Sequence, residues 1–230
     1  MTTESIELNI RWILDNPEDI IQKILMSGVF YEKNYLDLMK THCPADATIL
    51  DLGANIGNHT VYFSKFFNAK TIYAIEPLPR AYKMLLANIA LNYCHNVNVD
   101  HIGLAVGHRE CIGYPLTLLG KDNLGSTMLN PNPLTDFDPG DIHDPVQVVR
   151  GDTLFKDIHV DFIKMDIEAM ELVALEGLEE TINRCRPAMF IEVVENNQAD
   201  FATWVEKNRY TIVYCDRYPQ LHANYMVIPQ

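Results

Sequence analysis

Four acidic residues stand where chemistry is to be expected: Asp51, Glu76, Asp166 and Glu168. Asp51 follows the apolar run Thr48-Ile49-Leu50, Glu76 follows Thr71 to Ile75, and Asp166 follows Val160 to Met165. Each reads as the end of a buried strand. In open α/β sheets, ligands collect outside the carboxyl ends of the strands, so these carboxylates share one functional edge. After Asp51 the chain continues L-G-A-N-I-G-N-H-T through Thr60. Gly53 and Gly57 lack a Cβ, which lets the backbone turn sharply and approach a ligand. The helical pattern that starts at Gly57 completes a strand, a glycine turn and a helix N-terminus.

The charge of this corner selects its ligand. A dinucleotide fingerprint needs G-x-G-x-x-G and grips a pyrophosphate. Here Ala54 and Asn55 follow Gly53, the third glycine is missing, and Asp51 beside the turn would repel phosphate. A cationic ligand without phosphate suits it, and S-adenosylmethionine carries a sulfonium and an ammonium. Asp51, Gly53, Asn55, Gly57 and Thr60 form its expected bed, with backbone N–H groups between Gly53 and Gly57 taking its carboxylate. Glu76 either accepts hydrogen bonds from both ribose hydroxyls or caps the turn at Pro77. Ala105, between Leu104 and Val106, either flanks the adenine or belongs to the core.

The stretch Lys164 to Glu171, K-M-D-I-E-A-M-E, supplies the second half of the chemistry. Methyl transfer to a hydroxyl needs an oxygen held in line with the departing sulfur, helped by a nearby base. Asp166 is the first candidate and Glu168 the second. His59, His101 and His143 are weaker ones. Glu168 and Glu171 lie three apart, as on one helical face, and also suit a helix N-terminus. Lys164 alternates with Asp166 and is placed as its ion-pair partner, and Glu192 ends the adjacent strand. The paired carboxylates can also bind a divalent metal. So can Asp136, Asp138, Asp141, His143 and Asp144, though turn residues on a solvated loop explain that set more simply.

Period-2 and period-3.6 segments alternate through most of the chain, which predicts a parallel sheet with right-handed crossovers. Asn16 and Pro17 are expected to open a helix running to about Met26, and Lys33 to His42 a second one. Val97 to Val106 marks a third strand region. Thr211 to Cys215 and Tyr225 to Ile228 suit an antiparallel pair at the sheet edge. We divide the chain into an N-terminal extension or lid, 1–45, and a domain, 46–230, with a proline- and glycine-rich insertion at 107–145 on the acceptor side.

With 230 residues and 48% hydrophobic content, the chain can bury a large core. Its formal net charge of −13 argues against a nucleic-acid partner or an anionic membrane surface. No apolar run approaches the length of a membrane span and no secretory signal is evident. The five scattered cysteines read as reduced thiols of a cytoplasmic protein.

Five ordered motifs carry a resemblance: D-L-G-A-N-I-G-N-H-T at 51–60, A-I-E-P at 74–77, D-T-L at 152–154, F-I-K-M-D-I-E-A-M-E at 162–171 and R-P-x-x-F-I-E at 186–192. Together with the polar turn from Asp122 to Thr127 they resemble the FkbM family of S-adenosylmethionine-dependent methyltransferases, over about residues 30 to 195. The resemblance implies a Rossmann-like fold with a mostly parallel seven-stranded sheet. It also implies methylation of a hydroxyl on a small molecule, often a sugar or natural product. The family pattern D-x-E-G-x-E departs here at Ala169, which replaces the glycine. Two other readings remain beside it: a module that binds S-adenosylmethionine without catalysis, and a nicotinamide-dependent oxidoreductase.

Overall fold

The computed structural model describes residues 2–5, 9–117, 127–130 and 144–230. It begins with an antiparallel pair, β1 (Thr2–Ser5) and β2 (Ile10–Ile13), and two helices, α1 (Ile20–Met26) and α2 (Lys33–His42). Helix α1 starts later than Asn16-Pro17 suggests. Asn16 Oδ1 accepts the Glu18 N–H in a local turn, and the Asp19 carboxylate instead caps the helix by accepting the Gln22 N–H at 2.9 Å.

The regular part follows: β3 (Thr48–Leu52), α3 (Asn58–Phe66), β4 (Thr71–Ile75), α4 (Pro79–Leu91) and the short β5 (Val97–Asn98). Next come β6 (Leu104–Gly107), β7 (Cys111–Thr117), β8 (Thr127–Asn130), β9 (Val146–Arg150) and α5 (Gly151–Phe155). The chain ends with β10 (Phe162–Met165), α6 (Glu171–Gly177), α7 (Glu179–Cys185), β11 (Ala188–Val194), α8 (Gln198–Lys207), β12 (Tyr210–Tyr218) and β13 (His222–Pro229).

Seven strands form the main sheet in the order β12-β13-β11-β10-β3-β4-β5. The five from β11 to β5 are parallel, and β13 runs antiparallel to both its neighbours, as the edge-pair expectation required. Parallel strands covered on both faces are apolar throughout. On β3, Ile49 faces a core built with α1 to α4, while Leu50 faces a second core built with α5 to α8. The third strand region divides: β5 stays in the main sheet, whereas β6 leaves it for a four-stranded sheet, β6-β9-β7-β8. Two-residue β5 ends at Asn98, and the turn at 101–103, with Gly103 at φ +82°, redirects the chain.

The N-terminal segment shares the first core. Trp12, Leu25, Leu36 and Met39 pack with Ile49, Val61 and Phe190. Asn88 on α4 is buried; its Oδ1 accepts the Ile13 N–H at 2.6 Å and its amide donates to the Ile56 carbonyl at 2.9 Å. One side chain thus ties the N-terminal strand to the glycine turn. All five cysteines are free. Among the described residues no helix is long and apolar enough to cross a membrane.

Candidate active site

The carboxyl ends of β3, β4 and β10 open into a cleft. Its floor is the turn after β3. Gly53 has φ +76°, and a Cβ there would collide with the backbone carbonyl of Asp166, so only glycine lets β3 and β10 approach this closely. Gly57, at φ +85°, opens α3. Four of the turn's N–H groups are engaged within the protein. Gly53 and Ala54 both donate to the Ile75 carbonyl at 3.0 Å, Gly57 donates to Ala54, and Asn55 donates to Glu76 Oε2 at 2.9 Å.

Glu76 is buried in the cleft lining. Its Oε1 accepts the Leu78 N–H at 2.9 Å, so each oxygen holds one backbone donor and keeps acceptor capacity toward the cleft. Burial pushes its carboxyl up to about 7, against the pull of these N–H groups. Asn55 Oδ1 is also buried without a hydrogen-bond partner. Pro77, Ala105 and Val106 line the cleft together with Ile75 and Leu129, while Asp166 and Glu168 line its other end.

Three expected contacts do not line it. Asp51 is fully buried behind the turn, where Oδ2 accepts the Thr60 hydroxyl at 2.6 Å and Oδ1 lies 3.6 Å from Lys164 Nζ. Thr60 and Gly57 are buried with it. Asp51 therefore acts inside the protein rather than as a direct electrostatic contact for a ligand. The reason is its face: the residue pairs with Lys164 on β10, and both side chains point into the first core.

Lys164 supplies the ammonium at this end. Its Nζ donates to the Gly53 carbonyl at 2.8 Å and lies 3.7 Å from Asp166 Oδ2. Burial works against the ammonium, but the charges of Asp166 and Asp51, with Glu32 and Glu192 behind them, outweigh it and hold its pKa above the ordinary lysine value. Asp166, Glu168 and Glu192 each bring a carboxylate oxygen to within 4.8 Å of the others, a grouping of hard donors that a divalent cation takes. Burial, then repulsion from Asp166, raises the carboxyls of both Glu168 and Glu192. His222 Nε2 lies 3.4 Å from Glu192, and burial lowers the pKa of that histidine. On the N-terminal side Glu32 sits 3.3 Å from His59 Nε2. Burial would raise the Glu32 carboxyl, but His59, Lys164 and His222 together hold it below its usual value.

The turn from Asp166 to Met170 is built around Glu171. Its Oε1 accepts the Ala169 N–H at 2.7 Å, and its Oε2 accepts from the Asn197 amide, which also donates to the Ala169 carbonyl. Glu171 is buried, which pushes its carboxyl up to about 7. Its part is to fold the turn, and Glu168 is left to face the cleft. Glu168 and Ala169 have φ of +47° and +69° in succession. That explains the glycine of the related pattern, because a Cβ at a left-handed position is strained.

His101 stacks on Tyr73 and packs edge-on against Phe155, away from the cleft. Residues 136–143 of the acidic loop, with His143, and residues 122–126 of the polar turn lie outside the described residues; Asp144 is exposed. Two residues of the acidic end, Glu32 and His222, escape a reading of the sequence. They come from elements far apart in the chain, and only strand register and the placement of α2 bring them together.

A strand order with one antiparallel insertion and a carboxylate-lined cleft at the glycine turn define a Rossmann-like methyltransferase. More narrowly, the chain belongs to the FkbM methyltransferase family, whose domain matches residues 51–213. A protein of Beauveria bassiana, Methyltransferase 1, is 24% identical over 176 residues, covering 70% of this chain and 69% of its own. The antimetabolite synthetase AmbE of Pseudomonas aeruginosa is 34% identical over 97 residues, 42% of this chain but only 4% of the synthetase. Among solved structures, the methyltransferase FkbM of Methylobacillus flagellatus shares the fold with a TM-score of 0.54 at 19% identity, covering 79% of this chain and 43% of that one.

Substituting Ala169→Gly relieves the left-handed strain and raises unfolding stability by about 1 kcal/mol. Urea denaturation checks this; a loss of stability would show that the Ala169 methyl is held by packing that outweighs its backbone.

Proposed function

We propose that the protein is an S-adenosylmethionine-dependent O-methyltransferase acting on a hydroxyl of a small molecule. The observation that carries this reading is the pairing, across one cleft, of a buried Glu76 with spare acceptor capacity and the acidic end at Asp166. The residues fit the cofactor. Glu76 would hold the ribose diol, and the unpartnered Asn55 Oδ1 offers a further acceptor. Ala105, Val106 and Leu129 offer an apolar slot for the adenine. Bound S-adenosylmethionine supplies an electrophilic methyl group on sulfur.

The chain's own work is then positioning and proton removal. Asp166, partly exposed at the cleft and next to the Lys164 ammonium, would accept the acceptor's hydroxyl hydrogen bond and then its proton. Glu168, whose carboxyl is raised by burial and by Asp166, holds its proton more tightly and would orient the acceptor by donating. The match to a segment of an antimetabolite synthetase supports a small-molecule acceptor. So does the net charge of −13, which disfavours a nucleic-acid acceptor.

Two outcomes are expected. Ionised Glu76 accepts the ribose hydroxyls better than its protonated form does. The affinity for S-adenosylhomocysteine should therefore climb as pH rises toward about 7 and level off above it, and Glu76→Gln should flatten and weaken that profile. Calorimetry between acid and neutral pH measures this, and a wild-type affinity that falls toward neutrality contradicts the assignment. Second, methyl transfer from labelled cofactor into a panel of small hydroxylated metabolites should give an O-methyl product. Asp166→Asn should slow it about 100-fold while S-adenosylhomocysteine still binds. Transfer only to nitrogen or carbon, or equal loss of cofactor affinity in the variant, would overturn the reading.

A further inference from the structure

Lys164 is a charged residue at the centre of a parallel sheet, only 2% exposed. Such positions ordinarily hold valine, isoleucine or leucine. A buried ion pair is seldom worth more than an apolar pair of the same volume, so stability alone gives little reason for it. Its neighbours suggest another. On the same face of the sheet, Asp51 stands beside it on β3 and Asp166 stands two residues further along its own strand direction. The ammonium lies 3.6 Å from Asp51 Oδ1 and 3.7 Å from Asp166 Oδ2, and it donates to the carbonyls of Gly53 at 2.8 Å and Leu52 at 3.4 Å. Leu52 and Gly53 line the cleft, and so does Asp166. The Thr60 hydroxyl occupies the other oxygen of Asp51 and so turns Oδ1 toward the ammonium.

We propose that Lys164 is a positioning residue for methyl transfer: with Asp51 as its fixed anchor, it holds the Asp166 carboxylate at the cleft and pins the glycine turn through two carbonyls. One side chain thereby registers the proton acceptor against the cofactor bed. The ammonium reaches no ligand itself; it acts through Asp166 and Gly53. This rests on the role given to Asp166 above.

The test must separate positioning from simple charge compensation. Lys164→Met alone leaves Asp51 buried without a cation and is expected to lose much of its stability. The informative protein is the double variant Lys164→Met/Asp51→Asn, which removes the buried charges together and keeps an acceptor for Thr60. A merely structural lysine predicts that the double variant recovers both its urea midpoint and its turnover. A positioning lysine predicts a recovered midpoint and retained S-adenosylhomocysteine binding, with kcat still down about 100-fold and the KM for the acceptor little changed. A double variant that transfers methyl groups close to the parent's rate overturns the proposal. A crystal structure of that variant with S-adenosylhomocysteine decides the matter without an acceptor. The Asp166 carboxylate should have moved by about 1 Å or more from its place at the cleft, and an unmoved carboxylate is the contradicting result. Should the parent bind cofactor yet methylate nothing, the proposed function fails while this structural outcome still stands or falls by itself.

Discussion

The register of β10 between β3 and β11 is the constraint on which the site depends. It pairs Lys164 with Asp51 and Phe190, and Met165 with Leu52 and Ile191, so that Asp166 emerges next to Gly53 and Glu192. A slip by one residue would turn Lys164 and Asp166 to the opposite face of the sheet. There they would meet the apolar layer of Leu50 and Met189 from the neighbouring strands, where neither has a partner. The apolar residues around them exclude that slip. Phe162 belongs to the first core and Ile163 and Met165 to the second, each wholly buried. Packing and chemistry therefore enforce the same alignment.

How well the sequence foretold the site follows from the same geometry. Strand ends were legible because parallel strands are continuous apolar runs, and a carboxylate closing such a run stands out. This made the glycine turn, the placement of Glu76 and Asp166 at one cleft, and the closing antiparallel pair readable. The direction of a side chain was not. Asp51 read as facing a cationic ligand, yet alternation along β3 turns it inward, where the Thr60 hydroxyl bonds one oxygen and the Lys164 ammonium stands 3.6 Å from the other. Nor does periodicity say which sheet a strand joins, so β6 read as a continuation of β5 although it pairs with β9. Glu32 and His222 carry no local signal, since their meeting at the acidic end is a product of tertiary placement.

The turn from Asp166 to Glu171 shows how strain and burial are held for function. Two successive left-handed residues are unfavourable. They persist because Glu171, itself raised by burial, bonds the Ala169 N–H while Asn197 holds the Ala169 carbonyl. The result is a carboxylate-rich rim with one internal ammonium, facing a cleft whose far wall is apolar. The carboxylate rim suits a cationic, phosphate-free ligand, Glu76 suits its diol, and the apolar lining suits its aromatic base.

The most direct measurement is a crystal structure of the protein with S-adenosylhomocysteine bound. Both ribose hydroxyls should lie on the Glu76 carboxylate, the adenine against Ala105 and Val106, and the sulfur should face Asp166. An adenosyl group seated elsewhere, or a sulfur facing away from Asp166, would contradict this assignment.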